Sequence, residues 1–229
     1  MSKTVQLITL GIINYSQSLE LQKVISNKVK NKLLPDTMLV VEHNPVYTVG
    51  LRNKAYDEKE EKRLVSLGAE FYKTDRGGLI TFHGPGQLVV YPIIDLRKYK
   101  PSVRWYVHTL EKTIIDLCSS YKIEAQTSPH TGVWVGDSKI CAMGIHVSQY
   151  VTTHGLALNC NTNLKWFSHI VPCGIEGKSV TSLSQLLCRN VEVKEVLPKF
   201  LQSFSKFFNC QIEVKEDLNS KTLLGINHK

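Results

Sequence analysis

The chain is organised around one segment, which runs Arg76-Gly77-Gly78-Leu79-Ile80-Thr81-Phe82-His83-Gly84-Pro85-Gly86-Gln87-Leu88-Val89-Val90-Tyr91-Pro92-Ile93-Ile94-Asp95-Leu96. Two apolar runs, 79–82 and 88–94, have the length and composition of β-strands. Glycine and proline fill the residues between these runs, and that composition predicts a tight turn. Gly77 and Gly78 lack a Cβ, so their backbone can take positive φ or approach a ligand closely. From the residues alone, a plain β-hairpin and a ligand-binding segment remain equally open.

The composition sets broad limits on the class of protein. A chain of 229 residues with 42% hydrophobic and 21% charged residues is ordinary for a globular domain with a substantial core. No apolar run approaches the roughly 20 residues that a membrane helix needs, so we expect no membrane association. The net charge of +8 would suit nucleic acid, a membrane surface or an acidic protein. Four lysines share one predicted helix, where a solvated face is favoured over a docking surface: Lys23, Lys28, Lys30 and Lys32.

The cysteines and the N-terminus indicate a reducing compartment without a clear targeting signal. The six cysteines show no CxxC pair or close spacing, which argues against a zinc site or a disulfide framework. Val5 to Leu10 is too short for a secretory signal and has the pattern of a strand. Residues 1–34 contain no arginine, so they give only weak support for mitochondrial import.

Periodicity predicts one α+β domain over residues 1–229, with a mixed or antiparallel sheet flanked by helices and a frayed polar tail at 216–229. An apolar residue every fourth position, at Leu21, Ile25, Val29 and Leu33, indicates the first helix. The predicted helices are 16–34, 57–67, 102–121, 180–187 and 193–208. The predicted strands are 5–10, 38–43, 69–73, 79–82, 88–94, 132–135, 139–147, 152–159 and 211–214. Residues 43–50 are predicted to be a loop, and residues 166–177 to be irregular.

One cysteine stands apart from the others by its local sequence. Cys118, Cys141, Cys160 and Cys210 lie in or beside predicted helices and strands, where a small buried hydrophobe is the usual role. Cys188 ends a predicted helix. Cys173 follows Pro172 and precedes Gly174 in a stretch without periodicity, and loops on a rigid scaffold are where function concentrates. The residues make Cys173 a candidate nucleophile without excluding the other five.

Four motifs, in order, resemble the signatures of the lipoyl(octanoyl) transferases. The first is the opening segment from Arg76 to Leu88. The second joins Gly132-Val133-Trp134-Val135 to Lys139-Ile140-Cys141-Ala142-Met143-Gly144. The third is Thr153-His154-Gly155-Leu156-Ala157-Leu158-Asn159, and the fourth is Ile170-Val171-Pro172-Cys173-Gly174. The match spans roughly residues 40–187, and it implies the catalytic fold shared by biotin and lipoate protein ligases.

The resemblance also implies roles for individual residues. Cys173 matches the cysteine that carries the acyl thioester, and Lys139 matches its paired lysine, although alone Lys139 would be taken for an exposed residue beside a turn. Cys141, two positions from Lys139 on a strand, is expected on the same face but as a bystander. His83 and His154 are expected to orient the loops more than to transfer protons. The segments implied to contact the acyl chain are Arg76, Gly77, Gly78, Leu79, Ile80, Thr81, Phe82 and His83; Ala142, Met143 and Gly144; and Gly155, Leu156 and Ala157.

The activity implied by the resemblance is the first committed step of protein lipoylation. An octanoyl group would pass from octanoyl-acyl carrier protein, through a cysteine thioester, to a lysine of lipoyl domains such as 2-oxoacid dehydrogenase E2 subunits and glycine cleavage H protein. No ATP, metal or other cofactor is implied, and we expect a monomer. The fourth motif, with Trp166-Phe167-Ser168-His169 before it, is closer to the eukaryotic branch, which implies a mitochondrial enzyme rather than a bacterial cytoplasmic one.

Two other functions compete with this hypothesis. An ATP-dependent lipoate or biotin ligase of the same fold would need no cysteine, but lipoate ligases resemble Arg-Arg-x-x-Gly-Gly-Gly followed by His-Asp, whereas this chain has His83-Gly84-Pro85-Gly86. A non-catalytic basic module for nucleic acid would need clustered Arg and Lys with stacking aromatics, and no such cluster is present.

Overall fold

The computed structural model describes residues 3–52, 56–171 and 177–215. Its strands are β1 Lys3–Ile13, β2 Asp36–His43, β3 Val46–Val49, β4 Glu70–Lys73, β5 Thr81–His83, β6 Gln87–Ile93, β7 Val133–Val135, β8 Ser138–Ser148, β9 Val151–Asn159, β10 Ser179–Val180 and β11 Cys210–Val214. Its helices are α1 Tyr15–Lys30, α2 Glu58–Val65, α3 Val103–Ser119, α4 Leu183–Leu187 and α5 Val193–Phe208. Short 3-10 turns occupy Leu96–Lys98 and Leu164–His169. The predicted tail at 216–229 lies outside the described residues.

The strands form a large mixed sheet and a small one. The large sheet has the order β10-β8-β9-β6-β2-β1-β11, with β7 paired to β8. Its centre is antiparallel, while β1 pairs in parallel with both β2 and β11. The small sheet has the order β4-β3-β5. This arrangement confirms the predicted α+β class with a mixed sheet.

Helices cover both faces of the large sheet. On one face, residues of α3 and α5 pack against the sheet in a cluster that includes Tyr106, Leu110, Phe200 and Phe204. On the other face, Leu21, Ile25 and Val29 of α1 are buried. A third apolar cluster lies between the small sheet and the turn at Leu164–His169. The first two clusters share the strands β6 and β9, while the third belongs to the small sheet.

Two predictions about the first half of the chain are wrong. Residues 43–50 are not a loop, because Val46–Val49 forms β3 at the centre of the small sheet. The runs on either side of His83-Gly84-Pro85-Gly86 are not a hairpin, because β5 pairs with β3 while β6 lies between β9 and β2. Gly86, at φ +78°, donates its N–H to Glu42 Oε2 at 2.7 Å, so this turn carries the chain from one sheet to the other.

Several predicted helices are shorter in the structure. Helix α1 ends at Lys30 and the chain turns at Lys32, at φ +58°, so Leu33 is 73% exposed instead of extending the buried stripe. The predicted helix 180–187 begins as β10, and α4 starts only after Ser182, whose side chain accepts a hydrogen bond from Gln185 N–H. Ser182, a residue type that favours the N-cap position, was the sequence signal for the start of this helix.

Candidate active site

A cavity of about 470 Å³ lies where the two sheets approach each other. Its walls come from β6, β8 and β9 of the large sheet, from the segment between β4 and β5, and from the turn before β7. The volume is in the range of small-molecule sites, which are concave and mostly apolar with a few polar groups. The lining residues are Tyr15, Arg52, Arg76, Gly77, Gly78, Leu79, Thr81, His83, Val89, Tyr91, Val107, Pro129, His130, Thr131, Lys139, Ala142, Met143, Gly144, Ile145, His154, Gly155, Leu156 and Ala157.

Arg76 builds one wall of the cavity rather than reaching into solvent. Its Nη2 donates to Thr48 O at 2.7 Å, to Thr48 Oγ1 at 2.8 Å and to Leu79 O at 3.1 Å. Its Nη1 donates to Gly77 O at 3.0 Å. The side chain is buried, and the planar guanidinium can serve several acceptors at fixed angles. Arg76 therefore folds the 76–79 segment against β3.

Glycines let three backbone segments converge at this wall. Gly77 N–H donates to Ile145 O at 2.9 Å, which ties the wall to β8. A Cβ on Gly144 would lie 2.8 Å from Gly77 O and 3.0 Å from Arg76 Cδ. A Cβ on Gly50 would lie 2.5 Å from Gly78 O. Because real Cβ atoms do not approach so closely, any side chain at these positions would push the wall outward.

The sheet side of the cavity is lined by small residues. Ala142 pairs with Ala157, and Gly144 pairs with Gly155, on the adjacent strands β8 and β9. These four, together with Val89, present little side-chain bulk to the cavity. The surface they form is apolar and narrow, as an unbranched hydrocarbon chain requires.

Two of the predicted contact residues lie elsewhere. Ile80 and Phe82 are fully buried in the cluster beside the small sheet, where the Phe82 ring stacks on Trp166 with centroids 5.1 Å apart. Alternation along the strand explains this placement, since Thr81 and His83 line the cavity and the residues between them face the other way. The other predicted contact residues in the three segments line the cavity.

Lys139 is buried at the cavity wall rather than exposed beside a turn. It is 6% exposed, its Nζ donates to Thr131 O at 3.1 Å, and its Nζ lies 4.7 Å from the centroid of the Trp134 ring. A carbonyl oxygen and an aromatic face both stabilise a cation. The lysine is thus held by the turn that precedes β7 and by β7 itself.

A β-bulge separates Lys139 from Cys141. Val133 pairs with Cys141 and Trp134 pairs with Lys139, so Ile140 is an extra residue on β8. Ile140 and Cys141 are both fully buried in the cluster under α3, while Lys139 lines the cavity. The prediction that Cys141 shares the face of Lys139 is wrong, because the bulge interrupts the alternation on which it rested.

Cys173 lies outside the described residues, which resume at Gly177. The strand that follows pairs directly beside the lysine: Val180 is the register partner of Lys139, and Thr181 N–H donates to Lys139 O at 3.0 Å. Before the gap, Ile170 packs with the cluster of the small sheet. The chain therefore leaves one sheet before Cys173 and returns to the other beside Lys139.

The five described cysteines are all free thiols, and four of them are buried. Burial raises the pKa of Cys118 to about 12 and that of Cys210 to about 11. Burial also raises the pKa of Cys141 and of Cys160. A thiol with a raised pKa is seldom the reactive thiolate, so these four act as core residues. Cys188 is exposed at the end of α4 and does not line the cavity.

His83 is one link in a directional chain of hydrogen bonds. Gln87 Nε2 donates to Asn159 Oδ1 at 2.9 Å, so its Oε1 is free to accept from His83 Nδ1 at 2.8 Å. His83 Nε2 then accepts from Thr48 Oγ1 at 3.3 Å, and Thr48 Oγ1 itself accepts from Arg76. Burial lowers the pKa of His83 to about 3, and the charge on Arg76 adds to this effect. The His83 ring is therefore a neutral link between the Gln87 amide and the wall residues Thr48 and Arg76.

His154 joins three elements at the other side of the cavity. Its Nε2 lies 2.9 Å from Asp75 Oδ1, and its backbone N–H donates to Gln22 Oε1 of α1 at 2.7 Å. The residue has φ +55°, a left-handed conformation that is strained for histidine within a strand. Burial lowers the pKa of His154, and although burial pushes the pKa of Asp75 upward, the contact with His154 brings it below its usual value.

Two tyrosines and a histidine that the sequence did not indicate lie at the cavity wall or next to it. Tyr15 and Tyr91 line the cavity, and Tyr91 OH donates to His43 Nε2 at 2.7 Å. Burial lowers the pKa of His43 to about 4 and raises the pKa of Tyr91. Tyr91 could have been found from its period-two spacing with Val89 on β6, whereas no local signal marks Tyr15.

Within 3–52, 56–171 and 177–215, no three His, Cys, Asp or Glu residues are arranged to hold a metal ion. In the same ranges no helix has the length and hydropathy of a membrane span. The polar side chains on the cavity wall include a buried lysine, a buried arginine and two buried histidines, Lys139, Arg76, His83 and His154.

Comparison with known proteins identifies the family. The profile of the lipoyl protein ligase A/B catalytic domain matches residues 14–205. The chain belongs to this family. It is 54% identical over 217 residues to a Danio rerio protein named mitochondrial octanoyl-[acyl-carrier-protein]:protein N-octanoyltransferase, which covers 94% of this chain and 97% of that protein. It is 41% identical over 211 residues to an octanoyltransferase of the bacterium Caldanaerobacter subterraneus, covering 91% and 92% of the two chains.

Solved structures confirm the predicted ligase-like fold. Lipoate-protein ligase A bound with ATP superposes with a TM-score of 0.78, covering 99% of this chain and 94% of that one at 14% identity. Biotin protein ligase from Aquifex aeolicus in complex with biotin and ATP gives a TM-score of 0.54, covering 89% and 70% of the chains at 15% identity. At these identities the likeness concerns the lipoyl protein ligase A/B fold alone.

Proposed function

We propose that the protein transfers an octanoyl group from octanoyl-acyl carrier protein to the ε-amine of a lysine on lipoyl domains. The observation that carries the proposal is the buried Lys139 at the wall of a narrow, small-residue cavity. Relatives named octanoyltransferases, one of them 54% identical over most of both chains, support the same activity. An unbranched acyl chain would lie between the glycines of the 76–79 wall and the small residues of β8 and β9.

The first step makes an acyl-enzyme. The Cys173 thiolate attacks the thioester carbonyl carbon, a new carbon–sulfur bond forms, and the carrier thiol leaves with the proton that the cysteine gave up. Exchange of one thioester for another is nearly neutral in energy, so the step needs no external activation. Two observations support Cys173 as the nucleophile. The four buried cysteines have raised pKa values, and β10, which follows Cys173 in the chain, pairs beside Lys139.

The second step forms the amide. The lysine amine of the lipoyl domain attacks the acyl-Cys173 carbonyl, Lys139 takes the proton from the attacking nitrogen, and the cysteine sulfur leaves. In the first step the Lys139 ammonium group, which holds the proton given up by Cys173, favours the thiolate by its charge and then gives that proton to the departing carrier thiolate. The lysine is therefore neutral when it accepts the proton of the attacking amine. Backbone N–H groups near the glycines of the wall could stabilise the tetrahedral oxyanion.

The remaining parts of the proposal concern partners and place. Octanoyl-acyl carrier protein would be the donor, and E2 subunits and glycine cleavage H protein would be acceptors, with no ATP, metal or nucleic acid involved. A mitochondrial location is supported by the name of the Danio rerio relative, although a bacterial octanoyltransferase is also similar. The competing function is an ATP-dependent lipoate or biotin ligase, since lipoate-protein ligase A bound with ATP has the same fold as this chain.

Intact-mass analysis separates these functions. Wild type, Cys173→Ala and Cys188→Ala are each mixed with octanoyl-acyl carrier protein without ATP, then treated with neutral hydroxylamine. We expect one octanoyl adduct on wild type and on Cys188→Ala, none on Cys173→Ala, and loss of the adduct with hydroxylamine. Acylation of a lipoyl domain that appears only with free octanoate and ATP would show that the protein is a ligase and refute the proposal.

A further inference from the structure

A buried acidic side chain lies beside the lysine and takes no part in the chemistry proposed above. Glu111 is on α3, is 8% exposed, and accepts a hydrogen bond from the backbone N–H of Gly132 through Oε1 at 3.1 Å. Its Oε2 lies 3.8 Å from Nδ1 of the exposed His108. Because burying such a polar group has a desolvation cost, its contact with a cavity turn calls for an explanation.

Glu111 and Lys139 hold opposite ends of one peptide unit. The N–H of Gly132 and the C=O of Thr131 belong to the same planar trans peptide, so they point in opposite directions. Glu111 binds the N–H end, and Lys139 Nζ donates to the C=O end at 3.1 Å. The orientation of this plane therefore decides whether the lysine meets a carbonyl oxygen or an N–H.

The peptide needs an external restraint because it precedes a glycine. Gly132 has φ +117°, and glycine tolerates the rotations that turn a neighbouring peptide over. A stiffer residue cannot replace it, since a Cβ at Gly132 would lie 2.6 Å from Cys141 O. A flipped peptide would direct its N–H at Lys139 Nζ, placing one donor against another. In the same flip, the Thr131 carbonyl oxygen would face the Glu111 side chain in place of the N–H that it binds.

We propose that Glu111 is a positioning residue that locks the Thr131–Gly132 peptide, so that the Thr131 carbonyl holds the Lys139 ammonium group at the cavity wall. The inference rests on the proposed role of Lys139 in amide formation. Lysine has a flexible four-carbon stem, and its nitrogen is placed only as well as its acceptors are. Loss of this fixed acceptor therefore slows proton transfer without removing the lysine.

The test is a double-mutant comparison on the isolated second step. Acyl-enzyme is prepared from octanoyl-acyl carrier protein, and its decay on adding lipoyl domain is followed by intact mass for wild type, E111A, E111Q, K139A and E111A/K139A. K112A, the exposed neighbour on α3, is the matched control, and thermal melting reports folding of each variant. A misplacement near 1 Å can cost about 100-fold in rate, so we expect E111A to slow the step by about 10- to 100-fold.

Three results are expected together. E111Q keeps an acceptor oxygen and stays within about threefold of wild type, because a neutral carbonyl oxygen still binds the Gly132 N–H. K112A matches wild type. E111A adds no further loss to K139A, because Glu111 acts through that lysine.

The contrary results are distinct. A folded E111A at wild-type rate while K139A is slow would refute the role of Glu111 and leave the proposed function standing. If adding E111A to K139A slows the second step by the same factor as E111A does in wild type, Glu111 acts independently of the lysine. K139A at wild-type rate would overturn the role of Lys139 on which this inference rests. Failure of the proposed function would be seen separately, as wild type that forms no acyl-enzyme from octanoyl-acyl carrier protein.

Discussion

Replacing Arg76 with lysine tests whether the guanidinium holds the cavity wall. The arginine donates four hydrogen bonds to three residues, at 2.7, 2.8, 3.1 and 3.0 Å. A lysine ammonium is a single nitrogen, and we expect it to keep about two of them. Two lost bonds to a charged donor would cost about 3–6 kcal/mol, and water entering from the cavity returns part of this, which leaves about 2–4 kcal/mol.

The assay is thermal melting followed by the rate of acyl-enzyme formation. For a domain of this size each 1 kcal/mol shifts the midpoint by about 2–4 °C, so a loss of about 2–4 kcal/mol should lower the melting midpoint of R76K by about 4–16 °C. Acyl-enzyme formation should also slow, because the 76–79 wall loses its attachment to β3. Arg104→Lys, an exposed change on α3, is the control. A midpoint within about 2 °C of wild type at an unchanged rate would show that the arginine does not fasten the wall.

Three further changes test other parts of the structure. Gly144→Ala would place a Cβ 2.8 Å from Gly77 O and so displace the wall. We expect acyl-enzyme formation to be slower with an octanoyl donor, and to be slowed less with a butanoyl donor. Equal slowing with both donors would argue against a displaced wall. Burial lowers the pKa of His83 to about 3 and of His43 to about 4, against 6.5 unfolded, so the unfolded state takes up more protons as pH falls from 7 to 4. The free energy of unfolding should therefore fall by up to about 1.4 kcal/mol per pH unit for each histidine. Urea titrations at pH 7 and pH 5 measure this change. A free energy of unfolding that is the same at both pH values would contradict the lowered pKa values. Phe204→Ala, in the core on α5, should lower the free energy of unfolding in urea by about 3–5 kcal/mol. It should leave the KM for octanoyl-acyl carrier protein unchanged, since Phe204 does not line the cavity, and a raised KM would show coupling between core and site.

Local patterns were enough to predict most elements of the large sheet. The strands β6, β8 and β9 have continuous apolar or alternating runs, and each appears close to its predicted range. Gly86 precedes β6, and Gly136 lies in the turn before β8. Strand β3 was missed because its sequence, Val46-Tyr47-Thr48-Val49, is short and follows Asn44-Pro45, which favours a turn. Its pairing with β4 and β5 comes from partners distant in the chain, which no local window contains.

In the candidate site, too, some features could be predicted from the sequence and others depend on the fold. The segments of small residues were predicted by resemblance, and most of their members line one cavity. The burial of Lys139 could not be predicted, because it depends on a turn at 129–132 and on Trp134, which only the fold brings to it. Tyr15 and Glu111 were not predicted either. Each belongs to a helix, and the periodicity of a helix indicates which face is buried but not which residue is near the site.

The bulge at Ile140 has a consequence for how the chain selects its strand pairing. With the extra residue in place, the ammonium group of Lys139 faces the cavity while Ile140 and Cys141 face the apolar interior. If β8 slipped by one residue, every side chain would change face, and the lysine would enter the interior beside Cys118 and Leu158. Burying an unpaired cation there is costly enough to destabilise the slipped arrangement. The lysine at the cavity wall thus also favours the observed register of β8 over a slipped one.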